Sequence, residues 1–231
     1  MSYIKKFEVN QLGNDYVVGD IHGMFSNLFE ELKKINFNYI QDRLFSVGDL
    51  CDRGAESCNI IDLLEQPWFH PVMGNHEQIL FLHKQNILSD LDLINMGAEW
   101  WLHMPQKKKN QILSFYQNLP IAIEVLNKNM KKIGIVHAEC PFADWLVFEK
   151  ELQSFNASRI IYNAMWSTRS PHNDFIFKNI DAIVVGHMAQ KEYIIRGNTH
   201  LIDTGSGYVD GKITILDINK LQLTNYKDFK I

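Results

Sequence analysis

Residues 16–23 read YVVGDIHG, and this short run decides the fold. Three apolar residues of high β-propensity are followed at once by a glycine and by two side chains, Asp20 and His22, that can bind a metal ion. The pattern is typical of a buried strand that ends in a tight turn, where glycine lets the backbone approach a ligand closely. It predicts a strand over residues 16–18 with polar ligands at its carboxyl end.

The same pattern returns twice in the first third of the chain. Residues 44–54 read LFSVGDLCDRG and residues 69–77 read FHPVMGNHE, so two more predicted strands end in a glycine followed by polar groups. Such strands, separated by helices, form βαβ units, and open α/β sheets place their sites at the carboxyl ends of the strands. The sequence therefore predicts an α/β fold with one site at a sheet edge.

Helices are predicted between these strands. Leu28, Leu32 and Ile35 lie at helical spacing, and Ser26 is the expected N-cap of that helix. Residues 60–64 carry apolar side chains at a similar spacing and indicate a second helix.

Beyond residue 77 the pattern changes. Residues 77–120 are predicted to form a mostly helical insertion, and the alternation over residues 121–125 predicts an edge strand. No Pro/Gly/Ser-rich linker divides the chain, so residues 1–231 are expected to form a single domain.

Two more apolar runs end in histidine. Residues 133–136 lead to His137, and residues 182–185 lead to Gly186 and His187. Residues 199–218 are predicted to form two strands linked by a glycine-rich turn.

Composition excludes several function classes. The formal net charge of -4 argues against general nucleic-acid binding, and no apolar stretch approaches the ~20 residues that cross a bilayer. The cysteines, Cys51, Cys58 and Cys140, lack disulfide or zinc spacing, which fits reduced thiols in a cytoplasmic protein. No feature of the sequence sets the oligomeric state.

The polar groups at the predicted strand ends form a mixed set of oxygen and nitrogen ligands. Such a mixture suits first-row divalent ions better than Ca²⁺ or structural zinc. The candidate groups are Asp20, His22, Asp49, Asp52, Arg53, Asn75, His76, His137 and His187.

Five ordered motifs carry a family resemblance. Residues 19–23 (GDIHG), 48–54 (GDLCDRG) and 74–77 (GNHE) are followed by His137-Ala138 and by Gly186-His187. This series resembles the signature of the phosphoprotein phosphatase family of metallophosphoesterases, and in particular its phage and bacterial serine/threonine phosphatases. The resemblance runs over nearly the whole chain. It implies a calcineurin-like fold, in which a central β-sandwich is flanked by helices in an α/β/β/α arrangement.

The resemblance also implies a site with two divalent metal ions, most often Mn²⁺, with iron or zinc as the other choices. Asp20, His22 and Asp49 would hold one ion. Asn75, His137 and His187 would hold the other, with Asp49 bridging both.

The same resemblance assigns the remaining motif residues. Two neighbouring cations activate a water that attacks phosphorus directly, so no phosphoenzyme is expected. His76 is the predicted general acid, oriented by Asp52, and Arg53 is predicted to bind phosphate oxygens together with Asn75. Arg169 is the predicted second phosphate-binding arginine, although it follows Trp166 by three positions where the family's arginine usually follows by two.

The predicted function is hydrolysis of phosphoserine and phosphothreonine in proteins or peptides, with phosphotyrosine as a further substrate class. The alternative on the same scaffold is hydrolysis of a dinucleoside polyphosphate such as diadenosine tetraphosphate. A non-catalytic metal-binding module would be expected to lack a ligand or the acid.

Two residues outside the motifs are also candidates. The pair Trp100-Trp101 is expected to pack in the core rather than to line a substrate groove. Asp203 is a candidate hydrogen-bond partner for His187 or for a water on the substrate side.

Overall fold

The computed structural model describes residues 3–155, 157–168 and 174–223. Within these ranges the strands are β1 (Ile4–Phe7), β2 (Asp15–Val18), β3 (Arg43–Ser46), β4 (Phe69–Pro71), β5 (Ala122–Leu126), β6 (Lys132–Val136), β7 (Ala182–Val185), β8 (Ile194–Arg196), β9 (Thr199–Leu201) and β10 (Ile215–Asp217). The helices are α1 (Phe25–Lys34), α2 (Ile60–Leu64), α3 (Asn75–Lys84), α4 (Asp90–Asn95), α5 (Glu99–Leu102), α6 (Gln106–Tyr116), α7 (Trp145–Glu151) and α8 (Ala157–Trp166).

The strands form two sheets. Sheet A has the order β1-β5-β6-β7-β9-β8, and sheet B has the order β10-β2-β3-β4. In sheet B, β2, β3 and β4 run parallel, and in sheet A, β6 runs parallel to β7 and β7 to β9. The parallel strands of each sheet therefore end at a common edge, as the strand-end motifs require.

Three apolar clusters show how the layers pack. Val17 and Phe45 of sheet B meet Ile123 and Val184 of sheet A in the cluster between the sheets. The opposite face of sheet B packs against helices of the first half of the chain. The opposite face of sheet A packs against α7 and α8. The result is the predicted α/β fold with a β-sandwich between two helical layers.

The start of helix α1 differs from the prediction. The helix begins at Phe25 with Met24 as its N-cap residue, so Ser26 is not the cap. Ser26 lies in the first helical turn, where its backbone N–H and its hydroxyl donate to the carboxylate of Glu56, at 2.7 and 2.5 Å. The helix follows the turn after Gly23 directly, and the distant Glu56 accepts the hydrogen bonds of Ser26 in the first helical turn.

The edge-strand prediction for residues 121–125 is wrong. Strand β5 lies inside sheet A, parallel to β1 on one side and antiparallel to β6 on the other. Strand β1 carries Lys5 and Lys6 between two apolar ends, and this mixed composition concealed it. Among the described residues, β1 and β8 form the edges of sheet A.

Helices α3 to α6 fill the segment between β4 and β5. Leu93, Trp101 and Ile112 from this segment are buried against the outer face of sheet B. None of the helices in the described ranges has the length and apolar character of a membrane span.

Strands β9 and β10 belong to different sheets, although the sequence predicted them as neighbours across one turn. The segment that joins them crosses the sheet edge, with Gly205 and Gly207 at a φ of 82°. A β-carbon on Gly207 would lie 2.8 Å from the β-carbon of His22, so this crossing passes directly over the strand-end motifs.

Candidate metal centre

The predicted ligands that the structure describes converge where the two sheets end. Asp20 and His22 follow β2, Asp49 follows β3, and Asn75 begins helix α3 after β4. His137 and His187 follow β6 and β7 of the other sheet.

Asp49 lies at the centre of this group. Its carboxylate is buried, with Oδ1 3.3 Å from His137 Nε2 and Oδ2 3.7 Å from His22 Nε2. Burial alone would raise the pKa of Asp49, but interactions with His137, His76 and His22 outweigh burial and hold it below its usual range. One carboxylate oxygen therefore faces each sheet, the geometry that a bridging ligand needs.

Two imidazoles are oriented by backbone carbonyls. His22 Nδ1 lies 2.8 Å from the Cys51 carbonyl oxygen, and His137 Nδ1 lies 2.8 Å from the Val47 carbonyl oxygen. Because a carbonyl only accepts, each Nδ1 carries the hydrogen and each Nε2 presents its lone pair to the site. Burial lowers the pKa of His22 to about 3, which keeps that ring neutral and able to bind a cation.

Asn75 joins the two histidines of sheet A. Its Oδ1 lies 2.8 Å from His137 Nε2 and 3.0 Å from His187 Nδ1. The backbone N–H of His187 donates to both carboxylate oxygens of Asp20, at 3.1 and 3.2 Å. The contact of His187 with Asp20 links the two sheets, and Asp20 Oδ2 lies 3.9 Å from His22 Nε2 on the sheet B side.

These side chains fit divalent cations. The ligand atoms of Asp49, His137 and His187 lie within 4.8 Å of one another, and so do those of Asp49, His22 and His76. Asp49 belongs to both groups, and the donors combine carboxylate and imidazole, which suits borderline metals. The second group contains His76, the predicted acid.

His76 and Asp52 form a close pair. His76 Nδ1 lies 2.7 Å from Asp52 Oδ2, and both side chains are buried. Burial would lower the pKa of His76, but the Asp49 charge and the Asp52 hydrogen bond outweigh it and raise the pKa above its usual value. The imidazole thus carries a proton on Nδ1 and directs Nε2 toward the site.

Arg53 lies at the mouth of the same site. Its guanidinium contacts His22 Nε2 and lies 3.1 Å from His76 Nε2. It also stacks 4.6 Å from the ring centroid of Tyr208. Arg169 lies outside the described residues.

Several functional side chains stand on left-handed backbone. Left-handed φ in a residue other than glycine costs of order 1–3 kcal/mol and persists only where surrounding contacts enforce it. The residues concerned are His22, Asp49, Asp52, Arg53 and His187.

Glycines beside the ligands leave room that a side chain would fill. A β-carbon on Gly186 would lie 1.9 Å from Asp20 Oδ1, and one on Gly74 would lie 2.3 Å from Asp49 Oδ1. These two positions therefore require glycine so that backbone and carboxylate can approach each other.

Sequence reasoning missed two supporting residues. Glu77 accepts hydrogen bonds from the backbone N–H groups of Asp49, Leu50 and Gly74 at 2.8 to 3.0 Å, and so fixes the bridging aspartate. Its position in the GNHE run was the available signal. Trp100 donates through Nε1 to Asp52 Oδ1 at 2.6 Å, a role that a packing interpretation did not include.

Asp203 lies on the crossing segment beside the site. Its Oδ1 accepts from the backbone N–H of Gly205 at 2.9 Å. Burial, the first cause, and the charge of Asp49 raise the pKa of Asp203 to about 6.

Comparison with known proteins agrees with this geometry. The profile of the calcineurin-like phosphoesterase family matches residues 16–191. Serine/threonine-protein phosphatase 1 of Salmonella typhimurium is 31% identical over 93% of this chain and 96% of its own length. The symmetrical bis(5'-nucleosyl)-tetraphosphatase of Shewanella loihica is 31% identical over 69% of this chain and 68% of its own length.

A solved structure shares the fold. The cold-active protein-tyrosine phosphatase of a psychrophilic Shewanella species superimposes with a TM-score of 0.62 at 16% identity, over 93% of this chain and 78% of that one. The matches to the family and to phosphatases identify the chain as a metal-binding hydrolase of phosphoric monoesters. Its strand-end motifs, its two-sheet architecture and its sequence relatives agree that the chain belongs to the calcineurin-like phosphoesterase family.

Proposed function

We propose that the protein is a metal-dependent serine/threonine protein phosphatase that acts on phosphorylated proteins or peptides, with Mn²⁺ as its metal and phosphotyrosine as a further substrate. The observation that carries this proposal is the His76–Asp52 pair at 2.7 Å beside the shared Asp49. A serine or threonine alkoxide is a strongly basic leaving group, so its departure requires a proton donor at this place.

The residues of the chain divide the work among them. Divalent cations held by these side chains would lower the pKa of a bound water and would neutralise charge on the phosphoryl group. His76 donates a proton to the leaving oxygen, and Asp52 holds the ring in the orientation that this transfer needs. Arg53 offers two parallel N–H donors to phosphate oxygens, which fixes the substrate near His76.

The metal positions are assigned as the family resemblance implies. Asp20, His22 and Asp49 are assigned to one cation, and Asn75, His137 and His187 complete the other with Asp49. The carbonyl-oriented Nε2 atoms of His22 and His137 support this assignment.

Free Cys51, Cys58 and Cys140 support a reducing, cytoplasmic location.

Hydrolysis of a dinucleoside polyphosphate is the second candidate. The alternative is supported by the tetraphosphatase of Shewanella loihica, which aligns with 69% of this chain over 68% of its own length. We rank a phosphomonoester first because the phosphatase of Salmonella typhimurium aligns with 93% of this chain, whereas the tetraphosphatase aligns with 69%.

The test is a substrate panel. The metal-free protein is loaded separately with Mn²⁺, Fe²⁺ or Zn²⁺ and incubated with p-nitrophenyl phosphate, a phosphoserine peptide and diadenosine tetraphosphate. We expect release of phosphate from the first two, fastest with Mn²⁺. Turnover of the dinucleotide alone would overturn the proposal, and no turnover with any metal would indicate a non-catalytic metal-binding module.

A further inference from the structure

Trp100 connects the helical segment between β4 and β5 to the acid pair. Its indole Nε1 donates to Asp52 Oδ1 at 2.6 Å, while Asp52 Oδ2 faces His76 Nδ1 at 2.7 Å. Each oxygen of this carboxylate therefore serves a different partner. Among the described residues, His76 and Trp100 are the side chains that hydrogen-bond to the Asp52 carboxylate. The indole therefore helps to fix the carboxylate plane on which the orientation of the His76 ring depends.

The backbone around Asp52 needs external support. Asp52 and Arg53 are consecutive left-handed residues, with φ of 73° and 65°. The Arg53 N–H donates to the Gly97 carbonyl at 2.8 Å, and the Asp52 N–H donates to Ser57 Oγ at 3.0 Å. Gly97 and Trp100 thus contact the same turn, one through its backbone and the other through its side chain.

The chemistry of the indole suits this position. Asp52 is fully buried, so a carboxylate oxygen without a donor would carry a large desolvation cost. A neutral N–H satisfies Oδ1 and leaves the full negative charge available to the imidazolium of His76. A cationic donor at the same place would compete with His76 for that charge.

Trp100 also differs from its neighbour in the sequence. Trp101 is only 2% exposed and belongs to the apolar core beside sheet B, whereas Trp100 is half-buried at the rim of that core. The two rings meet edge to face, 5.7 Å apart. Core packing accounts for Trp101, but it does not account for the direction of the Trp100 N–H.

We infer that Trp100 is a positioning residue for proton transfer, acting through Asp52 on the general acid His76. The inference rests on the proposed function of this site and adds a residue from the helical segment to it. Trp100 belongs to neither candidate metal-binding group, and its N–H is directed to Asp52. Its removal should therefore impair the step in which the leaving group takes a proton and should spare metal binding.

The test compares Trp100→Phe with the matched control Trp101→Phe. Both variants lose an indole N–H, and only the first loses the donor to Asp52. For Trp100→Phe we expect kcat on a phosphoserine peptide to fall about 10-fold to 100-fold, the usual effect of a hydrogen bond to a charged group. The fall on p-nitrophenyl phosphate should be much smaller, because p-nitrophenolate leaves without a proton. Metal content and KM should not change.

A double variant removes the ambiguity of general destabilisation. If the indole acts through Asp52, adding Trp100→Phe to Asp52→Ala, which leaves no acceptor for the indole, should cost almost nothing further on the phosphoserine peptide. Equal loss on both substrates, or additive loss in the double variant, would overturn the inference. Failure of the wild-type protein to hydrolyse either substrate would instead count against the proposed function, so the two failures are distinguishable.

Discussion

The two sheets contribute different parts of the site. Sheet B and the turns after it carry four of the six proposed metal ligands, Asp20, His22, Asp49 and Asn75, and also the proposed acid pair His76–Asp52 and Arg53. Among the described residues, sheet A contributes to the site only the two histidines that follow β6 and β7, which are proposed metal ligands. Asp49 follows sheet B and has one oxygen directed to each side. Substitutions at His76 and Arg53 should therefore test proton transfer and substrate binding apart from metal binding, whereas substitutions on the sheet A side test metal binding alone.

Asp49→Asn should have the largest effect because Asp49 is the proposed ligand of both cations. An amide has no negative charge to share between two cations, so at least one metal position should empty. Charge stabilisation of several kcal/mol is lost with each cation, and kcat/KM should fall by more than about 10⁴-fold. Metal analysis and steady-state kinetics on a phosphoserine peptide measure both effects.

The exposed Asp62, on helix α2, provides a matched control. Asp62→Asn removes one carboxylate charge away from the site and should leave both measurements unchanged. Full metal content in Asp49→Asn would contradict the bridging role.

His76→Asn should separate the loss of proton transfer from the loss of metal. We expect the metal content to stay at the wild-type level and kcat to fall about 10²–10⁴-fold, the usual contribution of a general acid. His137→Asn on the sheet A side should instead lose metal. This pair of variants also decides the role of His76 within the group that it forms with His22 and Asp49. Equal metal loss in both variants would make His76 a ligand and remove the acid from the mechanism.

Much of this site could be predicted because its motifs are local. A strand, a glycine and a polar residue lie within a few positions of one another, and parallel strands bring their ends together without further information. The strand ends thus gave the pool of candidate groups, and the family resemblance assigned the metal ligands among them. The apolar runs of β2, β3, β6 and β7 predicted an α/β class, whereas the layered arrangement of two sheets was predicted only through the family resemblance.

The missed features depend on partners that are distant in sequence. Trp100 and Asp52 are separated by 48 residues, and nothing near Trp100 indicates the direction of its N–H. Strand β1 is two lysines between apolar ends and becomes recognisable only when β5 pairs with it. Ser26 lost its predicted capping role because Glu56, thirty positions away, accepts its hydrogen bonds.

Arg53→Lys should act on the substrate with little effect on metal. Lysine keeps the charge but lacks the planar pair of donors that grips two phosphate oxygens, and it stacks less well on Tyr208. We expect KM for a phosphoserine peptide to rise about 10-fold, with a smaller change in kcat. Arg43→Lys, at an arginine that pairs with Asp15 at 2.7 Å, is the control and should leave KM unchanged. Metal loss in Arg53→Lys would show that Arg53 supports metal binding as well as substrate binding.

The smallest effect is expected at the contact between the sheets, far from the chemistry. His70 of β4 lies against Phe7 of β1 and Phe45 of β3, with ring centroids at 4.8 and 5.5 Å. Burial, assisted by the positive charges of Lys5 and Arg43, lowers the pKa of His70 to about 4 from a model-peptide value of 6.5.

The sign of the pH dependence follows from this shift. Between pH 6.5 and about pH 4 the unfolded chain binds a proton at His70 and the folded chain does not, so stability falls as the pH falls through this window. His70→Phe keeps an aromatic ring between the sheets and removes the proton uptake. Urea unfolding across the window should therefore show a shallower loss of stability than in the wild type, with kcat/KM unchanged. Some loss should persist, because burial also lowers the pKa of His200 to about 4. An identical pH dependence in both proteins would mean that His70 is already hydrated in the folded state, and that the sheets are less tightly packed at this end than at the metal site.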